Sequence, residues 1–488
     1  MPWHNDVIAE ALAGRGILLD VMTDTTRPIE GARLEVPPVA VELGERFAAA
    51  GFELYLVGGV VRDMLLRRTD GGNELDMSTS ATPAETMQLL KGWADRKYVV
   101  GVRFGTVGAS KGQQDFEITT FREEVYHEQD RKPAVTFAKD ARTDLSRRDF
   151  TINAMAVRLP EGEFVDPFGG VRDLAAERLD TPLDPEIAFS DDPLRMLRAA
   201  RFVSQLHVEP TDRVVRAIES MCDRLDIVSR ERIRWELDKL LTGPRAAHGL
   251  ELLVDSGLAD TFLLELPALR LEQDPIHKHK DVLHHTYAVV ENCDRRDLVL
   301  RLAALLHDVG KPKTRAVTPE GVRFHHHEVV GARMAEDILR RLRYPNPIVE
   351  DVRRLVELHL RFHGYGEGWT DSAVRRYVRD AGPLLDRLNQ LTRADVTTGN
   401  RFKAKQFRSL MDDLEERIAR LAEEENLEAM RPALDGRQIM QHLGLEPGPL
   451  VGQAREFLME QRLERGPVSE EEAFAMLDDW AAEHGVGR

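Results

Sequence analysis

The sequence has 488 residues, 42 % of them hydrophobic and 31 % charged, and its formal net charge is −17. This length and apolar content are typical of a globular protein of about three domains, and the two cysteines, Cys222 and Cys293, exclude a disulfide framework and favour a reducing compartment. No apolar run is long enough to span a membrane, and the N-terminus lacks the pattern of a signal peptide, so we expect a cytoplasmic protein with no membrane partner.

The first part of the chain combines helix and strand patterns. Residues 1–38 predict a helical lead-in that ends at a proline pair, and an amphipathic helix over residues 39–50 precedes the first strand. Short strands follow a helix that opens at Thr82 and Pro83. The predicted fold class is therefore α+β, with a mixed sheet in residues 39–175 and all-α regions at 176–270, 275–400 and 401–488.

A strand, a glycine pair and a helix follow one another from Leu54. The strand LYLV leads through Gly58 and Gly59 into a helix that carries Arg62 in its first turn. Backbone N–H groups and the positive end of a helix then face the same space, which suits a phosphate group. Taken alone, the glycine pair is equally well explained as a turn.

Acidic residues follow on two predicted strands. Glu74 and Asp76 are separated by one residue, so a strand would place both on one face, where they can share a divalent metal. Glu117 alternates with Phe116 and Ile118 and therefore faces away from the apolar side of its own strand. The alternative interpretation of each acid is a solvated strand position. Three acids on neighbouring strands are the arrangement that two Mg²⁺ ions need for nucleotidyl transfer.

Basic residues come next. Arg147 and Arg148 precede Asp149, and they are interpreted either as a salt-bridge cluster at a helix start or as phosphate ligands beside an acceptor for a ribose hydroxyl. A predicted helix from Ser190 to Phe202, capped by Ser190 or Asp191, carries further arginines on one side: Arg195, Arg198 and Arg201. The net charge argues against a nucleic-acid partner, but binding depends on local clusters of this kind. A basic helix face that bridges two domains is the alternative.

Half of the 16 histidines lie between residues 277 and 327. His307 and Asp308 are adjacent at a predicted helix end and are followed by Gly310, which is a metal-binding pattern. Histidines on an apolar helix are also common as core residues, so this second site stays an alternative at this stage. Further along, a predicted helix carries Arg375, Arg376 and Arg379, which form either a contact for nucleic-acid phosphates or a solvated face.

The series VGGVVRD, ELD, EITTFR, DLSRRDFTINAMA and DPFGG, in this order, resembles the head of bacterial-type tRNA nucleotidyltransferases and their poly(A) polymerase relatives. The resemblance implies a polymerase-β-like head at 39–175, a helical neck that binds base and RNA at 176–270, and a helical tail at 401–488. It also implies that Asp192 and Arg195 read the incoming base, since this pair fits the hydrogen-bonding edges of C and A. Residues 275–400 resemble an HD phosphohydrolase domain, with His285, His307, Asp308 and Asp395 as ligands of a divalent metal.

We therefore predict a nucleotidyltransferase that adds CCA, or part of it, to tRNA 3′ ends from CTP and ATP. Metal-bound Glu74, Asp76 and Glu117 would activate the terminal hydroxyl, and the nucleotide would be held by the residues Gly58, Gly59, Arg62, Arg148, Asp149, Asp192, Arg195, Arg198 and Arg201. The alternatives are a poly(A) polymerase, or an RNA-binding HD phosphohydrolase with a weakened head. The chain departs from the family pattern at Glu74, where Asp is usual.

Overall fold

The computed structural model describes residues 34, 36–68, 74–100, 105–125, 134–138, 140–271, 281–318, 321–397, 400–425 and 431–486. The predicted lead-in lies outside these residues except at its end. The chain divides into two compact units, Met1–Phe262 and Leu263–Arg488. Within the described part of the chain, none of the helices combines the length and the apolar character that a membrane crossing requires.

The first unit holds one large sheet and the helices around it. Its strands are β1 Leu54–Val57, β2 Glu74–Thr79, β3 Arg96–Val100, β4 Thr106–Lys111, β5 Gln114–Thr120, β6 Arg122–Val125, β7 Ala134–Phe137, β8 Ala156–Leu159, β9 Glu163–Val165, β10 Arg178–Leu179 and β11 Glu209–Pro210. Its helices are α1 Pro38–Ala49, α2 Gly59–Leu65, α3 Pro83–Leu89, α4 Ala141–Ser146, α5 Gly170–Ala175, α6 Pro185–Asp191, α7 Leu194–Leu206, α8 Asp212–Met221, α9 Arg230–Leu241, α10 Ala246–Asp255 and α11 Ala259–Phe262.

The sheet has seven strands in the order β3-β4-β5-β2-β1-β8-β9. The pairing of β2 with β5 is parallel and the pairing of β1 with β2 is antiparallel, so the sheet is mixed, as predicted. Alternation along β2 buries Leu75 and Met77 and leaves Glu74 and Asp76 exposed on the other face. The strand assignments predicted around these acids are confirmed.

Helices α7, α9 and α10 pack together after the sheet. The apolar side of α9 is buried and includes Ile233 and Leu237. The N-terminal cap predicted for the helix from Ser190 to Phe202 is wrong. Ser190 and Asp191 are the last residues of α6, and the separate helix α7 starts at Leu194, after Pro193. A proline disfavours helical geometry in the residue before it, and this accounts for the interruption at Asp192.

The second unit is almost entirely helical. Its helices are α12 Val282–Asn292, α13 Leu298–Leu306, α14 Lys311–Thr314, α15 His327–Arg341, α16 Asn346–Leu358, α17 Asp371–Ala381, α18 Leu385–Asp395, α19 Arg401–Glu425, α20 Gly436–Leu443, α21 Pro449–Arg465 and α22 Glu470–Glu483, with one hairpin of β12 Arg315–Thr318 and β13 Gly321–Phe324. Helix α13 is buried on nearly all sides, from Leu300 to Leu306, and so carries the residues that follow it, His307 and Asp308, into the interior.

The last three helices have an apolar core of their own, which includes Leu458, Leu477 and Trp480. A buried ion pair joins this part to α17, since Arg375 Nη2 lies 2.7 Å from Glu425 Oε1 and Arg462 also contacts Glu425. Arg376 and Arg379 contact Glu460, so the three arginines of α17 all have partners within the chain.

Candidate functional site

Three carboxylates lie side by side on the open face of the sheet. Asp76 and Glu117 are register partners on adjacent parallel strands, and Glu74 precedes Asp76 by two residues on the same face. Shielding from water raises the pKa of Glu117, and the charges of Glu74 and Asp76 raise it further. Shielding also raises the pKa of Asp76, although its side chain keeps accessible surface, and the nearby Arg148 acts in the opposite direction. Mutual repulsion of this kind is what a bound cation relieves, so the donor set fits divalent metal ions.

Gly58 brings Arg148 next to these acids. Its φ of +75° lies in the left-handed region, and a Cβ atom at this position would stand 2.8 Å from Arg148 Nη1. Only glycine therefore permits both the backbone turn and the close approach of the guanidinium. Burial lowers the pKa of Arg148, and the charges of Asp144 and Asp76 oppose that change. The turn after β1 thus places a cation beside the carboxylates.

Arg62 lies at the same turn but is tied to protein groups. Its guanidinium donates to Asp63 Oδ1 at 2.9 Å and to Asn153 Oδ1 at 2.6 Å, and it stands 3.4 Å from the position of a Cβ on Gly59. The predicted phosphate contact of Arg62 stays a prediction. These contacts with Asp63 and Asn153 orient the start of α2 against the loop that contains Asn153.

Asp149 is buried and fixes Arg198. Its Oδ1 atom accepts from the backbone N–H of Phe150 at 2.8 Å and from Asn153 Nδ2 at 3.0 Å, and its Oδ2 accepts from Arg198 Nε at 2.8 Å. Although burial opposes ionisation, Arg198 and these donors hold the pKa of Asp149 well below its usual range. The neighbouring Arg195 donates to the Arg147 carbonyl at 2.5 Å. Helix α7 is therefore attached to the Arg147–Asp149 segment at two points.

Asp192 and Arg195, the predicted base-reading pair, have separate partners. Asp192 Oδ2 accepts from Arg232 Nη2 at 2.7 Å, and Oδ1 accepts from the backbone N–H of Leu194 at 3.2 Å. Arg195 is directed to the carbonyls of Ala188 and Arg147. Arg232, on α9, was not among the predicted site residues, because nothing in the sequence relates this solvent-exposed helix position to Asp192.

Arg201 lies in a different environment from the other arginines of α7. It is 6 % exposed, its Nη1 lies 2.9 Å from Glu236 Oε2, and its guanidinium is 4.3 Å from the centre of the Phe202 ring. Burial lowers the pKa of Arg201 to about 10, and the charge of Arg198 contributes. The buried ion pair of Arg201 and Glu236 therefore joins α7 to α9.

The second unit brings together the four predicted HD residues. His285 Nε2 lies 2.9 Å from Asp395 Oδ1, and His307 Nε2 lies 3.1 Å from Asp308 Oδ2. The two Nε2 atoms of His285 and His307 are 3.3 Å apart. Although burial opposes ionisation, the charges of His307 and Lys311 hold the pKa of Asp308 well below its usual range. The sequence thus identified one cluster from residues more than 100 positions apart.

His327 and His359 complete this cluster and were not predicted as ligands. Asp308 groups with both of them as a set of metal-ligand atoms that lie within 4.8 Å of one another, and it also groups with His285 and His307. Three histidines share a local geometry: Nδ1 donates to the carbonyl three residues earlier in His307 (Ala304), His327 (Phe324) and His359 (Val356). Each Nε2 lone pair then faces the cluster, which is the arrangement of metal-ligating histidines. The sequence signal that could have identified His327 and His359 is the position of each histidine at a helix terminus.

The cluster opens into a cavity of about 710 Å³, which is lined by both carboxylates, Lys311, Phe324 and Phe407 among others. Lys311 Nζ lies 2.7 Å from Asp308 Oδ2. A cation beside the carboxylates and aromatic side chains at the wall are suitable for a substrate that carries a phosphate group.

Three families match segments of the chain. The Poly A polymerase head domain matches residues 54–180, the probable RNA and SrmB-binding site of polymerase A matches residues 208–269, and the HD domain matches residues 280–423. The described carboxylates and the histidine cluster each lie inside one of these segments.

Characterised relatives match over most of the chain. The A-adding tRNA nucleotidyltransferase of Deinococcus radiodurans is 36 % identical over 444 residues, which is 88 % of this chain and 95 % of the relative. The CCA-adding enzyme of Anoxybacillus flavithermus is 32 % identical over 73 % of this chain and 78 % of the relative.

Solved structures agree with this result at the level of the fold. The Bacillus stearothermophilus CCA-adding enzyme in complex with CTP superimposes with a TM-score of 0.68 at 24 % identity, over 92 % of this chain and 99 % of that chain. The Thermotoga maritima CCA-adding enzyme complexed with tRNA has a TM-score of 0.58 at 19 % identity, over 97 % and 98 % of the two chains.

Proposed function

The chain belongs to the tRNA nucleotidyltransferase family that contains A-adding and CCA-adding enzymes, and on this premise we propose that it adds nucleotides of the CCA end to tRNA 3′ termini from CTP and ATP. The observation that carries the proposal is the register of Asp76 with Glu117 beside Glu74 on one open sheet face. Both cysteines are free thiols, in keeping with the proposed action on tRNA in a reducing cytoplasm.

We propose Glu74, Asp76 and Glu117 as the residues that hold two Mg²⁺ ions. When bound, such ions lower the pKa of the attacking ribose hydroxyl and neutralise the leaving pyrophosphate. The three carboxylates project from two paired strands. The sheet fixes the backbone of both strands, so it also fixes the positions from which the carboxylates reach the ions. Arg148 supplies a nearby positive charge for the triphosphate, and Gly58 and Gly59 leave room for it.

Base selection is the proposed task of α7. An aspartate accepts from the amino group of C or A while an arginine donates to the adjacent ring nitrogen, and G and U present the reverse order. Asp192 and Arg195 have the required chemistry, and Arg198 is held next to them by Asp149. Since Asp192 contacts Arg232 and Arg195 contacts the Arg147 carbonyl, a nucleotide must take over at least one of these contacts.

The test is incorporation of labelled nucleotides into tRNA that lacks its 3′ end, with CTP and ATP supplied separately and together in the presence of Mg²⁺. Ordered addition that stops after CCA supports a complete CCA-adding enzyme, and addition of A only to tRNA that already ends in CC supports an A-adding enzyme. Long A tails would instead indicate a poly(A) polymerase. No incorporation, with release of phosphate, would contradict transfer by the head.

A second candidate function is metal-dependent phosphohydrolysis in the second unit. The observation that favours it is the convergence of His285, His307, Asp308 and Asp395 at one end of a large cavity. A divalent ion held there would supply a Lewis acid and a bound water of lowered pKa. Hydrolysis of a chromogenic phosphate ester that is lost in His307→Ala, while nucleotide incorporation persists, would support it. Equal hydrolysis by the two proteins would contradict it.

A further inference from the structure

We propose that the beginning of α19 binds an RNA strand, with Arg401, Lys405 and Arg408 in contact with its phosphates. Phe402, on the same turns of the helix, stacks on one unpaired base of that strand. The inference rests on the proposed function in one respect, which is that the chain acts on RNA. It concerns a surface of the second unit that neither the carboxylates of the head nor the histidine cluster uses.

Three cations lie along one side of the first turns of α19. Arg401, Lys405 and Arg408 follow one another at intervals of four and three residues, which places them on one face of the helix, here called the basic face. All three are exposed, whereas the side of the helix that packs against the protein begins at the buried Ala404. The first acidic residue of α19 is Asp412, so the basic face has no acidic neighbour in its own turns.

The fold does not neutralise the basic face. Among the described residues, none lies within hydrogen-bond or ion-pair distance of its three side chains. The later arginines of the same helix are paired, since Arg417 Nη2 lies 2.7 Å from Asp371 Oδ1 and Arg420 contacts the same carboxylate. Asp412 is also engaged, because its Oδ1 atom lies 2.7 Å from Arg393 Nη2. The cations at the beginning of α19 are therefore available to an anion from outside the chain.

The position of these charges is unfavourable for the helix itself. The N-terminal end of a helix carries a partial positive charge, so acidic residues stabilise it and basic residues destabilise it. Helices α17 and α22 follow this rule, with Asp371 and Glu470–Glu472 in their first turns. Helix α19 has no acid in its first turn and carries Arg401 and Lys403 there instead. Side chains that reduce the stability of their own helix and form no contact in the fold are expected at a binding site.

An exposed aromatic ring on the same turns indicates that the anion is a nucleic acid. Phe402 is 77 % exposed, the highest value among the exposed large hydrophobic side chains of the described residues, and it lies one turn before Lys405. Proteins that bind single-stranded nucleic acid combine basic side chains for the backbone with aromatic rings on which bases stack. A membrane-binding helix instead presents an apolar face of several residues, whereas Phe402 is followed on the exposed side by Gln406 and Ser409.

Titration of the full chain with tRNA that lacks its 3′ end, at several salt concentrations, tests the inference. In Lys405→Gln with Arg408→Gln we expect the slope of log K against log salt to fall by about 0.7 for each lost phosphate contact. In Phe402→Ala we expect the affinity to fall by about tenfold at an unchanged slope, because stacking releases no counterions. Since these side chains do not stabilise the fold, both variants should unfold at the temperature of the native chain or above it.

The matched control is Lys91→Gln with Arg96→Gln, which removes the same charges from exposed positions of the first unit and must leave the slope unchanged. Native slope and affinity in both α19 variants would overturn the inference, while nucleotide incorporation by the native chain would still support the proposed function. A native chain that adds no nucleotide, but whose affinity for tRNA falls in these variants, would overturn only the proposed function. Binding to phosphatidylglycerol vesicles that is lost in the variants, with tRNA affinity retained, would assign the basic face to a membrane and overturn the inference.

Discussion

The carboxylate of Asp192 is paired with Arg232, whose Nη2 lies 2.7 Å from Oδ2, and this arginine belongs to another helix than Arg195. Arg232 therefore determines where the proposed base-reading carboxylate points. Because the side chain of Arg232 is 53 % exposed, this ion pair contributes only about 0.2–1 kcal/mol, and its main effect is on the orientation of the carboxylate.

Arg232→Ala is accordingly expected to impair base selection. Because Asp192 loses the group that orients it, incorporation of U and G relative to C and A should rise by about two- to fivefold, with a smaller change in tRNA affinity. Incorporation kinetics with each of the four nucleotides measure this. Arg230→Ala, on the same helix but in contact with Asp226 and the Thr261 carbonyl, is the control. Unchanged selectivity in Arg232→Ala would show that the pairing is incidental.

Glu74→Asp addresses the residue at which the chain departs from its family. The backbone of residue 74 is fixed by its pairing with Asp115, so a shorter side chain withdraws the carboxylate by about an ångström from its present position. A displacement of that size can cost about a hundredfold in rate, and we expect kcat to fall by ten- to a hundredfold. A gain in kcat would mean that glutamate is the poorer ligand here. Glu161→Gln, in the turn at the opposite end of the sheet, should have no effect.

Glu117→Gln is expected to abolish transfer and to stabilise the metal-free protein. The pKa of Glu117 is raised by burial and by Glu74 and Asp76, so the folded state disfavours its ionised form at neutral pH. The stabilisation, about 0.5–1 kcal/mol at pH 7, should vanish as the pH falls below the raised pKa, where the native glutamate is protonated too. Urea denaturation at several pH values measures it. Equal stability of the native chain and Glu117→Gln at neutral pH would contradict a repulsion between Glu117 and its two acidic neighbours.

Glu236→Gln is expected to destabilise the first unit. The substitution leaves Arg201 buried without a counter-charge, which costs about 3–5 kcal/mol. The double variant Arg201→Met with Glu236→Leu removes both charges and should recover most of that loss. Denaturant unfolding of the single and double variants separates the two effects. If Glu236→Gln is as stable as the native chain, water reaches Arg201 and solvates its charge.

The arginines of α17 are expected to have little part in tRNA affinity. Arg375 is paired with Glu425, and Arg376 and Arg379 contact Glu460. A phosphate contact contributes about 0.9 to the slope of log K against log salt, so Arg376→Ala with Arg379→Ala should leave that slope unchanged. A slope reduced by nearly two would show that both arginines leave Glu460 to bind RNA. The variant with Arg375→Ala should instead lose stability.

The positions of the carboxylates could be predicted because alternation along a strand is local. The shared face of Glu74 and Asp76 could be predicted from their spacing alone, and the face of Glu117 could be predicted from its apolar neighbours. The fold class followed from the helix and strand patterns, and the family followed from the ordered motifs of the head. The glycine pair was predicted to hold phosphate, with a plain turn as the alternative, and the phosphate contact stays a prediction. The room that Gly58 leaves for Arg148 involves a contact across 90 residues, which no local pattern indicates.

The remaining features depend on pairings between distant elements. Arg201 has the helical spacing of its neighbours Arg195 and Arg198, yet it is buried because Glu236 on α9 faces it. His327 and His359 belong to sequence contexts that predict helix ends, and only the packing of α13, α15 and α16 turns them toward Asp308. A local sequence pattern does not show which distant residue a charged side chain contacts in the folded protein.

The link between Arg195 and the Arg147 carbonyl has a consequence for fidelity. The peptide held by Arg195 leads directly into Arg148, which stands beside Asp76. If Arg195 reads the base as proposed, an ill-fitting base that displaces it would disturb the very next residue after the held carbonyl, Arg148, which is the cation proposed to face the triphosphate. Errors in nucleotide choice should thus appear as slow turnover of a bound wrong nucleotide, rather than as weak binding.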